Sequence, residues 1–121
     1  MSATLDIAVR RERGFVVVAV TGEIDISTVT RLRERLFQLA DSGRPLIVDL
    51  EHVTFIDSAG LGALVGAYRR AAAYGGSLHT VCARPQTRKL LSMTGVDRRI
   101  HLSASLDEAL TSAASRDAAS G

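Results

Sequence analysis

With 121 residues, 46% apolar and 23% charged, the chain is sized for one globular domain, and no apolar run approaches the ~18 residues that a bilayer span needs. Fifteen basic residues against 13 acidic ones leave a net charge of only +2, a field too weak to suggest nucleic acid, whatever the basic isoelectric point. The arginines are also interleaved with acids, Arg10, Arg11 and Arg13 around Glu12 and Arg31, Arg33 and Arg35 around Glu34, which is the pattern of a solvated face. Aromatic residues for stacking single strands are scarce. A lone cysteine, Cys82, excludes an internal disulfide, and Met1-Ser2-Ala3-Thr4 leads into a strand pattern without a basic or apolar leader. A cytoplasmic protein is expected, with no membrane insertion.

Leu5, Ile7 and Val9 alternate with polar or small residues, the period of a strand with one buried face. The polar run from Arg10 to Arg13 reaches Gly14, and Phe15 to Val20 then forms a continuous run, so an antiparallel hairpin is predicted with its second strand buried on both faces. Ser27 or Thr28 offers a cap for a helix whose apolar stripe is Val29, Leu32, Leu36 and Leu39. After Pro45, Leu46 to Leu50 reads as a short buried strand, with Asp49 as its odd member. Val53, Phe55 and Ile56 lead to the pair Asp57-Ser58, and Leu61, Leu64, Val65 and Tyr68 predict a second helix that stops at Tyr74-Gly75-Gly76. A strand from Leu78 to Ala83 follows. Arg84-Pro85 then opens a helix with Leu90, Leu91 and Met93 on its apolar side and Gly95 at its end. Ile100 to Leu102 is predicted as the last strand. Ser105 and Glu108 form a capping box before Leu106, Ala109, Leu110, Ala113 and Ala114, and residues 115–121 read as a flexible tail. The alternation predicts an α/β fold over residues 3–114: a mostly parallel sheet of about five strands, an N-terminal antiparallel hairpin, and four helices packed against it.

The strand-to-helix corner at Asp57-Ser58 carries the chemistry, and three readings of its serine compete. A nucleophile elbow needs glycines two residues either side of the serine, and here Ile56 stands on one side with Gly60 on the other. His52, His79 and His101 lie in or beside predicted strands, and their spacing brings none of them to Ser58. Neither they nor Cys82 have metal-ligand spacing, no phosphate-loop motif exists, and no cofactor or catalytic residue is predicted. In the plain reading, Asp57 or Ser58 caps the helix and the glycines let it pack closely on the sheet. In the third, a partner modifies the exposed hydroxyl.

The run Phe-Ile-Asp-Ser-Ala-Gly-Leu-Gly, residues 55–62, resembles the signature of STAS domains, particularly the bacterial anti-sigma-factor antagonists. Gly22-Glu23-Ile24-Asp25, Leu46-Ile47-Val48-Asp49-Leu50 and the segment from Leu90 to Val96 resemble further blocks of the same family, so the likeness covers nearly the whole chain. It implies a non-enzymatic switch. Unmodified, the chain would bind a protein that is both anti-sigma factor and serine kinase, so that a sigma factor goes free; phosphorylation of Ser58 would end the binding, and a serine phosphatase would restore it. Asp25, Asp57, Ser58, Ala59, Gly60, Leu61 and Gly62 would form the partner surface, with the glycines allowing close approach and Ser58 serving as both cap and switch. Free N–H groups at the helix start would hold the phosphate. The resemblance also implies a monomer or weak dimer. Its main alternative is a STAS subunit of a lipid-transport or stress-signalling complex that controls no sigma factor. Two features depart from the pattern: Ala59 removes the second hydroxyl that many relatives carry, and the isoelectric point is basic. Arginine outnumbers lysine fourteen to one, a bias that fits a GC-rich genome.

Overall fold

The structure, a computed structural model, describes residues 4–112. The expected domain limits at 3 and 114, the positions of Ala113 and Ala114, and the tail from 115 to 121 lie outside them. Strands β1 (Leu5–Glu12) and β2 (Phe15–Ile24) form the hairpin, followed by α1 (Val29–Ala40), β3 (Leu46–Ile56), α2 (Ser58–Ala73), β4 (Leu78–Val81), α3 (Pro85–Met93), a 3-10 turn at Val96–Arg98 and β5 (His101–Ser103). Residues 106–112 are helical and are called α4. The sheet order is β1-β2-β3-β4-β5, with β1 antiparallel to β2 and every other pair parallel.

The hairpin turns on two residues, Arg13 and Gly14, with φ of 52° and 85°. Two positive φ values in succession make the turn whose twist matches the flanking strands, and Glu12 then faces Phe15. Side-chain alternation along β2 feeds two cores. Val16, Val18 and Val20 point to the face covered by α1 and α2, where the larger core lies, whereas Phe15 and Val17 join Ile47, Val81, Ala109 and Leu110 under α4. β2 is therefore buried on both faces, as its unbroken β-branched run requires.

Several elements differ from the periodicity reading. β3 runs on to Ile56 instead of ending near Leu50, because irregularities between Ala19 and Thr21 and between Gly22 and Glu23 let β2 stay paired to it as far as Ile24↔Ile56. On α2 the buried row is Gly60, Leu61, Ala63, Leu64, Ala67 and Ala71, with Val65 and Tyr68 only half-buried. Small residues bring that helix close to its neighbours. Met93 was placed on the buried side of α3, yet it is 75% exposed; Thr87 and Leu91 are the buried members. The final strand also begins one residue later than expected, at His101.

α1 and α2 pack together beside the sheet. Phe37 lies where a Cβ on Gly66 would come within 2.9 Å of its ring, and Arg70 stacks over the same ring at 5.0 Å while its guanidinium binds Asp41 at both carboxylate oxygens. At the other end of α2, a Cβ on Gly60 would lie 2.6 Å from Ile56 Cγ1 and 2.7 Å from Ile24 Cγ2. The helix can start there only because position 60 has no side chain. Gly60→Ala should cost about 1–3 kcal/mol through overpacking, read as a lowered denaturant midpoint in chemical unfolding.

Candidate functional site

Both central parallel strands end on the same dipeptide. β2 ends Ile24-Asp25 and β3 ends Ile56-Asp57, and Ile24 pairs with Ile56 in register. Asp25 and Asp57 thus each follow one of two paired residues at the carboxyl edge of the sheet. The Asp57 N–H donates to the Ile24 carbonyl at 3.2 Å and ties the two ends together. Each chain then enters a helix, and each aspartate organises that entry.

Asp57 is the cap of α2. Its extended backbone stands outside the helix, and its Oδ1 accepts from the N–H groups of Ala59 at 3.0 Å and Gly60 at 3.2 Å. Its carbonyl accepts the first helical bond from the Leu61 N–H. Ser58 is the first helical residue, exposed, and among the described residues no group hydrogen-bonds its hydroxyl. The cap and the exposed serine are therefore two residues, contrary to the expectation that Ser58 does both. Two first-turn amides expected to cradle a phosphate are already bonded to Asp57.

Asp25 plays the matching part for α1. Its Oδ1 accepts from Ser27 N–H at 2.9 Å, Ser27 Oγ at 2.7 Å and Thr28 N–H at 3.2 Å. Of the two expected caps, Ser27 and Thr28, Thr28 holds the N-cap position of α1, but its side chain makes no capping bond and turns backwards: its hydroxyl accepts from the Asp25 N–H at 3.0 Å and donates to the Glu23 carbonyl at 2.8 Å. The Ser27 hydroxyl, with the two amides, holds the Asp25 carboxyl below its ordinary 3.8.

Of the residues singled out in the sequence, Asp25, Asp57, Ser58, Ala59 and Gly62 reach the surface wholly or in part. Gly60 and Leu61 do not, since both are buried and face the core. They shape the corner from behind. Gly62 is the opposite of Gly60, because a Cβ there would meet nothing within 4 Å. It lies four residues after Ser58, on the same helical face. Two apolar neighbours escaped the sequence reading: Ile26, 82% exposed in the turn after Asp25, and Phe55, 49% exposed two residues before Asp57. The available signal was an isoleucine inside an otherwise polar turn. Phe55 also borders a shallow groove against Gln86, Thr87 and Leu90 of α3.

Histidine is not part of this corner. His79 sits opposite Ile47 near the start of β3, ten residues before Asp57, or about 30 Å along the strand, and its ring packs against Phe15 and His101. Cys82 is buried, and burial raises its thiol above the ordinary 9.0. Among the described residues no group of His, Cys, Asp and Glu could hold a metal ion, and no helix is long and apolar enough to cross a membrane. The corner can offer hydrogen-bonding atoms, an exposed hydroxyl and, at Gly62, room for another backbone.

The Asp25 contacts carry a pH dependence. A carboxyl held below 3.8 in the fold contributes stability at pH values above its unfolded-state value and loses that contribution as pH falls through the folded one. Asp25→Asn keeps one acceptor and removes the titration. It should lower thermal stability at pH 7 and leave a smaller further loss than wild type between pH 5 and pH 3, measured by thermal melts across that range. Asp57→Ala should cost about 1 kcal/mol in the same melts, as loss of a helix cap does.

Known proteins resemble the chain over most of its length. The STAS domain family matches residues 6–109. An anti-sigma-B factor antagonist of Bacillus subtilis is 33% identical over 100 residues, which span 83% of this chain and 92% of that protein. The crystal structure of an anti-sigma factor antagonist from Mycobacterium paratuberculosis superposes with a TM-score of 0.83 at 33% identity, covering 90% of this chain and 93% of that one. SpoIIAA in its unphosphorylated form shares the fold at 24% identity and a TM-score of 0.75, covering 91% and 97% of the two chains. A domain match over most of the chain, a five-stranded mixed sheet with flanking helices, and relatives matched over most of their own length together show that the chain belongs to the STAS family of anti-sigma-factor antagonists.

Proposed function

We propose that the unmodified chain binds an anti-sigma factor through the corner around Ser58, which frees a sigma factor, and that phosphorylation of Ser58 by that same partner, acting as a serine kinase, ends the binding. A serine phosphatase resets the switch. Gly62 is the observation that carries the reading. Glycine inside a helix costs about 0.5–1 kcal/mol relative to alanine, and here no neighbouring atom requires it. Its use is external. A bare helix turn beside an exposed hydroxyl lets a partner's backbone come close to Ser58.

The contact surface proposed for this partner is Asp25, Asp57, Ser58, Ala59 and Gly62, with Gly60 and Leu61 beneath it and Ile26 and Phe55 as apolar anchors at its rim. Transfer of the γ-phosphoryl group of ATP to the Ser58 Oγ, with loss of the hydroxyl proton and departure of ADP, gives a phosphate ester carrying about −1.5 to −2 charges. Asp57 already occupies the Ala59 and Gly60 amides, so the new dianion stays at the surface beside two carboxylates rather than sinking into the helix start. A docked partner would have to desolvate all of that charge. Each ~1.4 kcal/mol of that cost weakens binding tenfold.

With the cognate kinase and ATP, wild-type protein should gain one phosphate at Ser58, read by mass spectrometry, and be released. Ser58→Ala should stay bound under the same conditions. Absence of phosphate on Ser58 would remove the switch, and copurification with a membrane transporter in place of an anti-sigma factor would move the chain to a different STAS complex. Gly62→Ala separates folding from binding: it should stabilise the fold by about 0.5–1 kcal/mol in melts while weakening partner binding in titration calorimetry. Ile26→Ala should weaken binding and leave the melt unchanged.

A further inference from the structure

β1 is an edge strand of eight residues, with β2 on one side and no strand on the other among the described residues. The two-residue turn fixes which of its backbone groups face outward. Glu12 and Phe15 close the hairpin as a hydrogen-bonded pair, and the pattern alternates from there, so the N–H and C=O groups of Glu12, Arg10, Ala8 and Asp6 point to β2 while those of Arg11, Val9, Ile7 and Leu5 point away. Two contacts agree. The Thr4 carbonyl accepts from Glu23 N–H across the sheet, and the Leu5 carbonyl, facing outward, accepts from the Arg31 guanidinium of α1.

We propose that this edge pairs with the same edge of a second copy, antiparallel about a two-fold axis through Ala8, to make one continuous sheet across a weak dimer. Outward-facing groups can bond only to outward-facing groups, so odd residues must face odd residues and only alternate registers are open. An axis through Val9 puts Asp6 opposite Glu12 twice. An axis through Ile7 leaves Asp6 opposite Ala8 and Arg10 opposite Thr4, with no charge paired. An axis through Ala8 sets Asp6 opposite Arg10 of the second copy, twice by symmetry, and Ile7 opposite Val9, also twice. The side chains sit on the matching faces: Asp6, Ala8 and Arg10 are exposed on one, and half-buried Ile7 and Val9 continue the larger core on the other. Charges on an edge strand ordinarily block pairing. Here their signs are self-complementary, so they select one register instead. A cleft between β1 and α1, lined by Ile7, Arg31, Glu34, Arg35 and Gln38, borders this edge, and because Arg31 already holds the Leu5 carbonyl, the pairing rests on the outward groups of Ile7 and Val9.

Analytical ultracentrifugation of the full chain over rising concentration should show a reversible dimer. Asp6→Arg and Arg10→Asp should each weaken it about tenfold or more, since each turns both attractive pairs repulsive. An equimolar mixture of the two variants should recover dimer, because every facing pair is again of opposite sign. Ala8→Cys should form an intermolecular disulfide on mild oxidation, as facing residues of a non-hydrogen-bonded pair lie ~4.5 Å apart at Cα. Asp6→Arg combined with Ala8→Cys should suppress it. Buried Cys82 makes wild type the uncrosslinked control. A chain that stays monomeric at every concentration and gives no crosslink overturns the proposal. So does a crosslink that Asp6→Arg leaves unchanged. If wild type is monomeric and the Ile7 and Val9 amides gain hydrogen-exchange protection only when another protein is added, the edge receives a foreign strand and the self-pairing is likewise overturned.

Discussion

The level ending of two parallel strands, Ile24 against Ile56, is the constraint on which the corner depends. Because both strands stop together, an aspartate follows each at the same edge of the sheet; Asp57 finds its donors in the first turn of α2 and Asp25 in the turn that precedes α1. The Asp57 N–H to Ile24 carbonyl bond locks the pair. Gly60 then lets α2 start directly over both isoleucines. A side chain at 60 would lift the helix start, and with it Ser58, away from the strand ends. Burial of Ile24 and Ile56 and presentation of the serine are thus one packing problem.

That packing leaves the corner acidic without a counter-charge built into it. The Asp25 and Asp57 side chains accept from amides and a hydroxyl of their own turns while lying at or near the surface. Among the described residues no basic side chain is hydrogen-bonded or ion-paired to either carboxylate at this corner. The charge of a negative group added beside them would therefore be felt outside the domain, by whatever docks there, more than inside it. Helix starts commonly attract anions through free amides. Here the first turn is partly spent on its own aspartate, and the anion-binding character is correspondingly reduced.

Most of the fold was legible because its elements obey simple periods: alternation in β1, an unbroken β-branched run in β2, spacings of three and four in α1, and glycine or proline at the joins. What stayed hidden depends on neighbours. The length of β3 rests on irregular pairing with β2, which no property of residues 51–54 announces. The contact row of α2 is made of glycine and alanine, which carry too little apolar weight to register against Val65 and Tyr68. Met93 has the composition of a core residue and the position of an exposed one. At the site, the sequence named Asp57, Ser58 and Asp25 but did not separate their tasks, because aspartate and serine are both good caps and only the backbone shows which stands outside the helix. Gly60 and Gly62 look alike in sequence and differ wholly in surroundings.

The division of labour between Asp57 and Ser58 decides what the proposed phosphorylation of Ser58 would do to the fold. Had Ser58 been the cap, its hydroxyl would have accepted the first-turn amides, and esterifying it would have disturbed the start of α2 together with the surface. Any signal would then have been mixed with a loss of stability. With the cap on Asp57, the Ser58 Oγ makes no internal bond among the described residues, and its modification removes nothing that holds the helix. The helix start is fixed by one residue and displayed by the next. A chemical change of nearly two charges can therefore alter what binds while leaving the domain folded as before, which a reversible switch requires and a capping serine would not provide.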